Sequence, residues 1–215
     1  CDEGKYSPVS GSLSSTTCLD CAAGTYLNST GAFSSESCEK CCEGKYSHTL
    51  GAASFEACQD CSAGKYSGVL GATSADTCQN CGAGKYSTIV GQNAASEGVC
   101  VSCIAGTYSE TDGASSDLAC QKCPKGKYAT TLGADSELLC MMCGAGKYSS
   151  AVGAVSNSTC RSCGAGKYSG GVGSNDESMC QECMQGKYSG VLGATSEAAC
   201  MACQTETTSP AGSDE

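Results

Sequence analysis

Large side chains are scarce in this 215-residue chain, which has no Trp, 2 Phe, 3 Pro and 1 His. So few bulky residues cannot build a large hydrophobic core. No segment approaches the roughly 18 consecutive apolar residues that indicate a membrane-spanning helix. Basic residues are also few, because 12 Lys and Arg stand against 22 Asp and Glu, and the net charge is −10. Nucleic acid is therefore not expected as a partner, since binding to phosphates needs a basic face.

Cysteine, in contrast, is abundant, with 22 residues in the chain. This density is typical of disulfide scaffolds, in which covalent links replace the core that a small unit cannot build. Disulfides persist in oxidising compartments, so we expect a secreted protein that is extracellular or lies at the cell surface. The sequence opens at Cys1 without an initiating Met or a signal peptide. We therefore expect a mature or partial segment of a longer precursor.

One pattern of about 20 residues repeats along the chain, and its copy at Cys61–Asn80 reads CSAGKYSGVLGATSADTCQN. A short fixed period is typical of stacked arrays. Residues 1–102 hold repeats one to five, residues 103–202 hold repeats six to ten, and residues 203–215 read as a flexible polar tail or linker. Repeat five is longer within Gly91–Cys100, which predicts a surface loop. The repeats start at Cys1, Cys21, Cys41, Cys61, Cys81, Cys103, Cys123, Cys143, Cys163 and Cys183.

Each repeat supplies one tyrosine and, in most copies, one aliphatic residue before its second glycine. Because this is too little to bury alone, we expect the repeats to share a thin core by stacking. The Gly-Lys-Tyr-Ser element predicts a short strand, and the second glycine predicts a turn at positive φ. The aliphatic residues are Leu50, Leu70, Val90, Leu132, Val152, Val172 and Leu192. The tyrosines, interpreted as packing centres rather than sugar-stacking groups, are Tyr6, Tyr26, Tyr46, Tyr66, Tyr86, Tyr108, Tyr128, Tyr148, Tyr168 and Tyr188.

The cysteine spacing alone does not fix the connectivity. Pairing within each repeat is the simplest solution, and disulfides inside the C-x-x-C pairs are an alternative. A second alternative is a row of zinc sites, the first built from Cys18, Cys21, Cys38 and Cys41, because the spacing fits a zinc ribbon. Pairing within repeats gives Cys1–Cys18, Cys21–Cys38, Cys41–Cys58, Cys61–Cys78, Cys81–Cys100, Cys103–Cys120, Cys123–Cys140, Cys143–Cys160, Cys163–Cys180 and Cys183–Cys200. It leaves Cys42 and Cys203, which would be unpaired, paired with each other or bonded to another chain.

The motif C-x-x-G-[KT]-Y-S, followed by G-A-x-S-x-x-x-C-x-x-C, resembles the ephrin-receptor-like cysteine-rich repeat over residues 1–203. Its C-x-x-G-K-Y opening is also similar to the single-disulfide module of TNF-receptor-type domains. The resemblance implies elongated, disulfide-linked rods, as in large surface proteins of protists and algae. It also implies pairing of the first cysteine of each module with the next. The expected fold is a solenoid-like rod of ten modules of about 20 residues, with short β-hairpins and almost no helix.

For several further side chains a functional role and an ordinary structural or surface role are both considered. The repeated lysines form either an anion-binding stripe or a solvated edge that blocks strand pairing, and the second reading is preferred. Asn28 and Asn157 fit the N-glycosylation rule. His48 has no partner in the sequence pattern and is expected at the surface. The acidic residues before the closing cysteines are more typical of turn caps than of weak Ca²⁺ sites, and they are Glu56, Asp76, Glu97, Asp117, Glu137 and Glu197.

No spacing of a nucleophile and a base indicates an enzyme, and no cofactor is expected. The composition and repetition favour an extracellular structural protein, a spacer or a building block of a surface fibril that assembles with itself or with other surface proteins. The alternative is the stalk or ligand-binding segment of a cell-surface receptor or adhesin. Repeats three and five, with Cys42, His48 and the insertion near Gln92, are the candidates for such a role.

Overall fold

The computed structural model describes residues 1–11, 15–94, 98–203 and 208–214. Two compact units are present, Cys1–Val101 with Thr111–Ala119, and Ser102–Glu110 with Cys120–Glu215. Both are built from the predicted modules, and the described ranges contain only short strands and 3-10 turns, with no α-helix. The prediction of ten disulfide-bonded modules with short hairpins is therefore confirmed.

Each module is a small antiparallel hairpin. In module four, Lys65 pairs with Asn80 and Tyr66 with Gln79. The first strands are Lys5–Tyr6, Thr25–Tyr26, Lys45–Tyr46, Lys65–Tyr66, Lys85–Tyr86, Thr107–Tyr108, Lys127–Tyr128, Lys147–Tyr148, Lys167–Tyr168 and Lys187–Tyr188. The second strands are Leu19–Asp20, Glu39–Lys40, Gln59–Asp60, Gln79–Asn80, Val101–Ser102, Gln121–Lys122, Met141–Met142, Arg161–Ser162, Gln181–Glu182 and Met201–Ala202.

A three-residue 3-10 turn precedes the second disulfide cysteine in most modules. The turn in module four begins after Ser74, whose Oγ accepts a hydrogen bond from the backbone N–H of Asp76 at 3.1 Å. Such a cap supplies an acceptor to an otherwise unpaired N–H group. The turns are Ser15–Thr17, Ser35–Ser37, Phe55–Ala57, Ala75–Thr77, Asp117–Ala119, Glu137–Leu139, Asn157–Thr159, Glu177–Met179 and Glu197–Ala199.

One disulfide joins the two cysteines of every module, with Cα–Cα distances from 5.5 to 5.8 Å. In modules two to ten the first cysteine is at most 1 % exposed, so sulfur fills the centre of the module. The zinc alternative does not hold, because Cys18, Cys21, Cys38 and Cys41 belong to three separate disulfides. The ten bridges are Cys1–Cys18, Cys21–Cys38, Cys41–Cys58, Cys61–Cys78, Cys81–Cys100, Cys103–Cys120, Cys123–Cys140, Cys143–Cys160, Cys163–Cys180 and Cys183–Cys200.

Backbone hydrogen bonds join successive modules within each unit. The tyrosine of one module also forms a parallel β-bridge with the residue after the second glycine of the next, as Tyr46 does with Ala72. These bonds use N–H and C=O groups that the two-residue strands leave unpaired. Between modules three and four the donors and acceptors are Cys61 N to Gly44 O, Gly44 N to Ser67 O, Ser47 N to Ala72 O, and Gly71 N to Cys41 O, at 2.8 to 2.9 Å.

Modules two places apart also touch, which a purely nearest-neighbour stack does not predict. A Cβ atom on Gly44 would lie less than 3.0 Å from the carbonyl oxygen of Gly91. Gly44 has a φ of 80°, so its own backbone conformation favours glycine as well. The same relation holds in the second unit between Gly126 and Gly173. The predicted positive φ of the second glycine is confirmed, with 67° at Gly91.

The expected aliphatic core is wrong. The residues before the second glycine are 53 to 69 % exposed, and they are Leu50, Leu70, Val90, Leu132, Val152, Val172 and Leu192. The disulfide and small side chains such as Ala72 and Ser67 already fill the interior, so the aliphatic residue at the tip of the turn has no space there. We call these seven residues the turn aliphatics.

The described part of the polar tail is not a free linker. Cys203 N donates to Gly186 O, and Gly212 N donates to Cys183 O, both at 3.0 Å. Ser213 takes the bridge position opposite Tyr188. Cys203 and Ser209 thus occupy the places of the first cysteine and the first buried serine of a further module. Residues 204–207 and 215 lie outside the described residues.

Candidate interaction surface

Five strand lysines, in modules one, three, seven, nine and ten, lie close to carboxylates of their own modules. In the first hairpin Lys5 pairs with Asp20 across the strands, and Lys45 is 2.6 Å from Asp60 in the third. In the second unit the carboxylate comes from the start of the 3-10 turn, as in Lys127–Glu137 at 2.8 Å. Charge is therefore neutralised locally at these positions, which supports the solvated edge over an uninterrupted anion-binding stripe.

Two further modules of the second unit hold ion pairs of the same kind. Lys187 lies 2.8 Å from Glu197, and Lys167 lies 3.8 Å from both Glu177 and Glu182. The Lys127 ammonium, through its hydrogen bond and its charge, lowers the pKa of Glu137. The pairs are partly exposed, so each contributes little to stability.

The tyrosines are mostly half-buried, and the hydroxyl groups of Tyr26, Tyr108 and Tyr148 bond to polar side chains. Tyr26 donates to Glu39 at 2.5 Å, and this bond is the main cause of its raised pKa. Tyr108 is 9 % exposed, and burial is the main reason that its pKa is raised. Tyr148 donates to Glu177 of the following module at 3.4 Å. Packing by the ring and hydrogen bonding by the hydroxyl group thus occur together.

The acidic residues near the closing cysteines lie in or beside the 3-10 turns. Five of them lie within a 3-10 turn, and they are Glu56, Asp76, Asp117, Glu137 and Glu197. Asp176 caps its turn by accepting from the Ser178 N–H at 2.9 Å, and this bond lowers the pKa of Asp176. Among the described residues no group of three or more His, Cys, Asp or Glu side chains is arranged for a metal ion. Glu97 lies outside them.

Module three carries two exposed side chains that its neighbours lack. Cys42 is exposed and outside the ten disulfides, beside the bridged Cys41. His48 is also exposed, on the loop after the strand Lys45–Tyr46. Cys203 is half-buried, and its Sγ lies 3.1 Å from the Ser209 hydroxyl.

Both N-glycosylation motifs lie at the surface, in different local structures. Asn28 is exposed in the loop after the strand Thr25–Tyr26. Asn157 is exposed and begins the turn Asn157–Thr159, where the Thr159 hydroxyl donates to Ser156 O at 2.8 Å. Both asparagines therefore project where a glycan has space.

The turn aliphatics are the feature that sequence reasoning missed. They stand at the same place in seven of the ten modules, three in the first unit and four in the second, so each unit presents apolar side chains that recur at the module spacing. Their position in the sequence could have indicated this exposure. They lie between the strand and the glycine turn, and therefore at the tip of a loop rather than on the face of a strand. The hydrogen bonds between tyrosines and carboxylates were also missed, because their members are 13 or 29 residues apart in the sequence.

Comparison with known proteins gives one family. The family model described as tyrosine-protein kinase ephrin type A/B receptor-like matches residues 91–140, from the later part of module five to Cys140 of module seven. No curated protein matches the chain. Within the described ranges no helix is long and apolar enough to cross a membrane. The density of disulfides and this family together indicate an extracellular type of protein. Residues 91–140 thus match the ephrin-receptor-like family, and they lie in an array of ten disulfide-bonded modules built on the same pattern.

Proposed function

We propose that the chain is a secreted structural protein of the cell surface, a disulfide-stapled rod that serves as a spacer or as a building block of a fibril. The observation that carries this proposal is the combination of one disulfide in each module with repeated backbone bonds between modules. The matched family consists of disulfide-rich modules, and we infer a non-enzymatic role. Each module adds the same unit of length, so the number of modules sets the span.

A mechanical role follows from where the disulfides lie. Each bridge holds two cysteines, 17 residues apart in most modules, at a Cα–Cα distance below 6 Å. Without it, the enclosed loop would extend to about 60 Å at about 3.5 Å per residue. A pulling force can therefore separate the hydrogen-bonded modules but cannot draw out the loops while the bridges remain.

Single-molecule stretching of the whole chain tests this mechanism. We expect short extensions in oxidising buffer and an added release of about 54 Å per module after reduction, because the bridged cysteines already span about 6 Å of the extended loop. The variant Cys42→Ser is the control, because Cys42 lies outside the disulfides and its loss leaves the extension unchanged. Equal extension before and after reduction would contradict the mechanism.

Self-assembly is supported by the turn aliphatics. Leu132 and Leu192 are 65 and 69 % exposed, and the equivalent side chains recur at the module spacing. A second copy presents the same spacing, so many weak apolar contacts match at once. Exposed Cys42 is placed to form a covalent link between chains.

Electron microscopy of unreduced native material tests assembly. We expect ordered fibrils whose spacing matches the array, and we expect glycans at Asn28 and Asn157 by mass spectrometry. Exposed side chains at both motifs support this modification. Single unassembled rods at high concentration would contradict assembly into fibrils, and the spacer role alone would then remain.

A second candidate is a stalk or ligand-binding segment of a receptor or adhesin. It is favoured by the exposed Cys42 and His48 of module three, which interrupt the uniform surface. A partner captured by the native chain, and lost after His48→Ala together with Cys42→Ser, would favour this function. Binding unchanged by both substitutions would place the contact elsewhere.

A further inference from the structure

Module eight, Cys143–Ser162, differs from the rest of the array in charge. It contains Lys147 and Arg161 but no Asp or Glu, in a chain whose net charge is −10. Arg161 is the only arginine in the sequence. By sequence, each of the other nine modules is neutral or negative. Module eight is therefore the one module with a net positive charge.

The structure shows how this charge remains unmatched. In modules seven, nine and ten a glutamate begins the 3-10 turn and lies beside the strand lysine, as Glu137 does beside Lys127. Module eight has Asn157 at that place, and Ser162 lies opposite Lys147 across the hairpin. Among the described residues neither Lys147 nor Arg161 has an ion-pair partner.

A cleft of about 230 Å³ lies beside this arginine. The exposed Arg161 stands opposite Tyr148 in the hairpin and contributes one wall. The turn and the loop after the first strand contribute hydroxyl groups. The lining residues are Ser149, Ser150, Ala151, Ser158, Thr159 and Arg161.

The hydrogen bonds already present define which groups remain available to a ligand. Thr159 donates its hydroxyl proton to Ser156 O, and Ser149 Oγ accepts from the Ala151 N–H at 3.4 Å. Ser158 shares a bond with the Ser156 hydroxyl. The guanidinium and the Ser150 hydroxyl have no such bond among the described residues. Glu177 accepts from Tyr148 at 3.4 Å but does not line the cleft.

We propose that this cleft binds a sulfate group, either as the free ion or as an ester on an acidic polysaccharide. A planar guanidinium donates two parallel hydrogen bonds to an oxyanion, and the Ser150 hydroxyl, which has no other bond among the described residues, can donate to a third oxygen. A tetrahedral oxyanion has more acceptor oxygens than a carboxylate, which suits donors on more than one wall. Among the described residues no carboxylate lines the cleft to repel it.

The test is a titration of the full oxidised chain with sodium sulfate, followed by NMR at constant ionic strength. We expect saturable shifts at Ser150 and at the Arg161 side chain. Arg161→Gln should weaken binding by about tenfold or more, because it removes charge-assisted hydrogen bonds. Arg161→Lys keeps the charge but loses the paired donors, and it should also weaken binding.

The matched control is Lys65→Gln, which removes the same charge in module four. It should change the sulfate affinity by less than about twofold, because Lys65 does not line the cleft and salt screens charges outside it. Shifts that grow linearly without saturation would overturn the proposal. So would equal losses in Arg161→Gln and Lys65→Gln, which would indicate only a general effect of charge.

A sulfated and an unsulfated oligosaccharide of the same length identify the source of the group. If the sulfated one binds at least about tenfold more tightly than inorganic sulfate, the ligand is the ester on a polysaccharide. Equal affinity for the sulfated oligosaccharide and for inorganic sulfate identifies the free ion as the ligand. Binding of the unsulfated sugar as tightly as the sulfated one would overturn the proposal, because the oxyanion would then contribute nothing.

Discussion

The backbone of Gly146 lies directly against the carbonyl oxygen of Gly193, two modules further along the chain. A Cβ atom on Gly146 would be less than 3.0 Å from that oxygen, and its φ of 74° already favours glycine. The Gly193 amide donates to Cys163 O at 2.8 Å, which holds the opposing segment in place. Three successive modules therefore depend on one another at this point.

Replacing this glycine should destabilise the array. Gly146→Ala should lower the free energy of unfolding by about 2 kcal/mol or more, because it combines an unfavourable φ with a steric overlap. Guanidinium unfolding of the oxidised chain measures the loss. Hydrogen exchange should show it in modules eight to ten.

A matched control lies two residues earlier. Gly144 has open space around its Cβ position and no positive φ. Gly144→Ala should change the free energy of unfolding by less than about 1 kcal/mol. An equal loss in both variants would refute the role assigned to the contact between Gly146 and Gly193.

Removing one disulfide should destabilise its own region more than the whole chain. The double substitution Cys61→Ala with Cys78→Ala should cost about 3 kcal/mol by the loop-closure estimate. Hydrogen exchange should rise in module four and in the modules bonded to it within the first unit. Cys42→Ser should leave exchange unchanged, since Cys42 is exposed and unbridged. A loss that spreads equally through both units would contradict this local dependence.

The pair Lys127–Glu137 should make stability depend on pH in the acid range. The pKa of Glu137 is lowered in the fold, so its contribution is present above the ordinary value and is lost as the pH falls through the folded value. Glu137→Gln should remove this part of the acid dependence. Thermal unfolding measured between neutral and acid pH gives the result.

Asp135→Asn is the control for that experiment. Asp135 is exposed in the same module and has no ion pair among the described residues. Its substitution should leave the acid dependence close to that of the unmodified chain. An equal change in the two variants would show that overall charge, rather than the bond to Lys127, sets the dependence.

The interior position of module four is alanine rather than leucine. Leu70 is 57 % exposed and Ala72 is 2 % exposed. Leu70→Ser should change the free energy of unfolding by about 0.5 kcal/mol or less. Ala72→Val should cost about 1–3 kcal/mol, because the added methyl groups overfill a packed site. Thermal unfolding of both variants checks the order, and a larger loss for Leu70→Ser would contradict it.

The strand and turn positions could be predicted from the sequence because they depend on local chemistry. Tyr66 lies in a strand and Gly71 in a positive-φ turn, as the alternation and the glycine indicate. The location of Leu70 could not be obtained in this way. Counting apolar residues assigned it to the core, whereas the buried Cys61 and Ala72 already occupy that space.

The relation between modules was also hidden from the sequence. The length of the repeat shows where each module begins, but it does not show how many modules separate two segments that are in contact. Only the recurrence of the first glycine in every copy, from Gly4 to Gly186, hinted at a close approach of backbones. Likewise, the absence of carboxylates around Arg161 is visible in the sequence, but the cleft beside it requires the fold.

Disulfides that close inside their own modules make the length of the array easy to change by recombination. Gly64–Ser74 and Gly186–Ser196 are identical, so an unequal crossover between their coding segments would place Cys61 and Cys200 in one intact module. No other cysteine would need a new partner. Natural variants of different length can therefore arise by whole modules, and each would inherit a complete set of bridges.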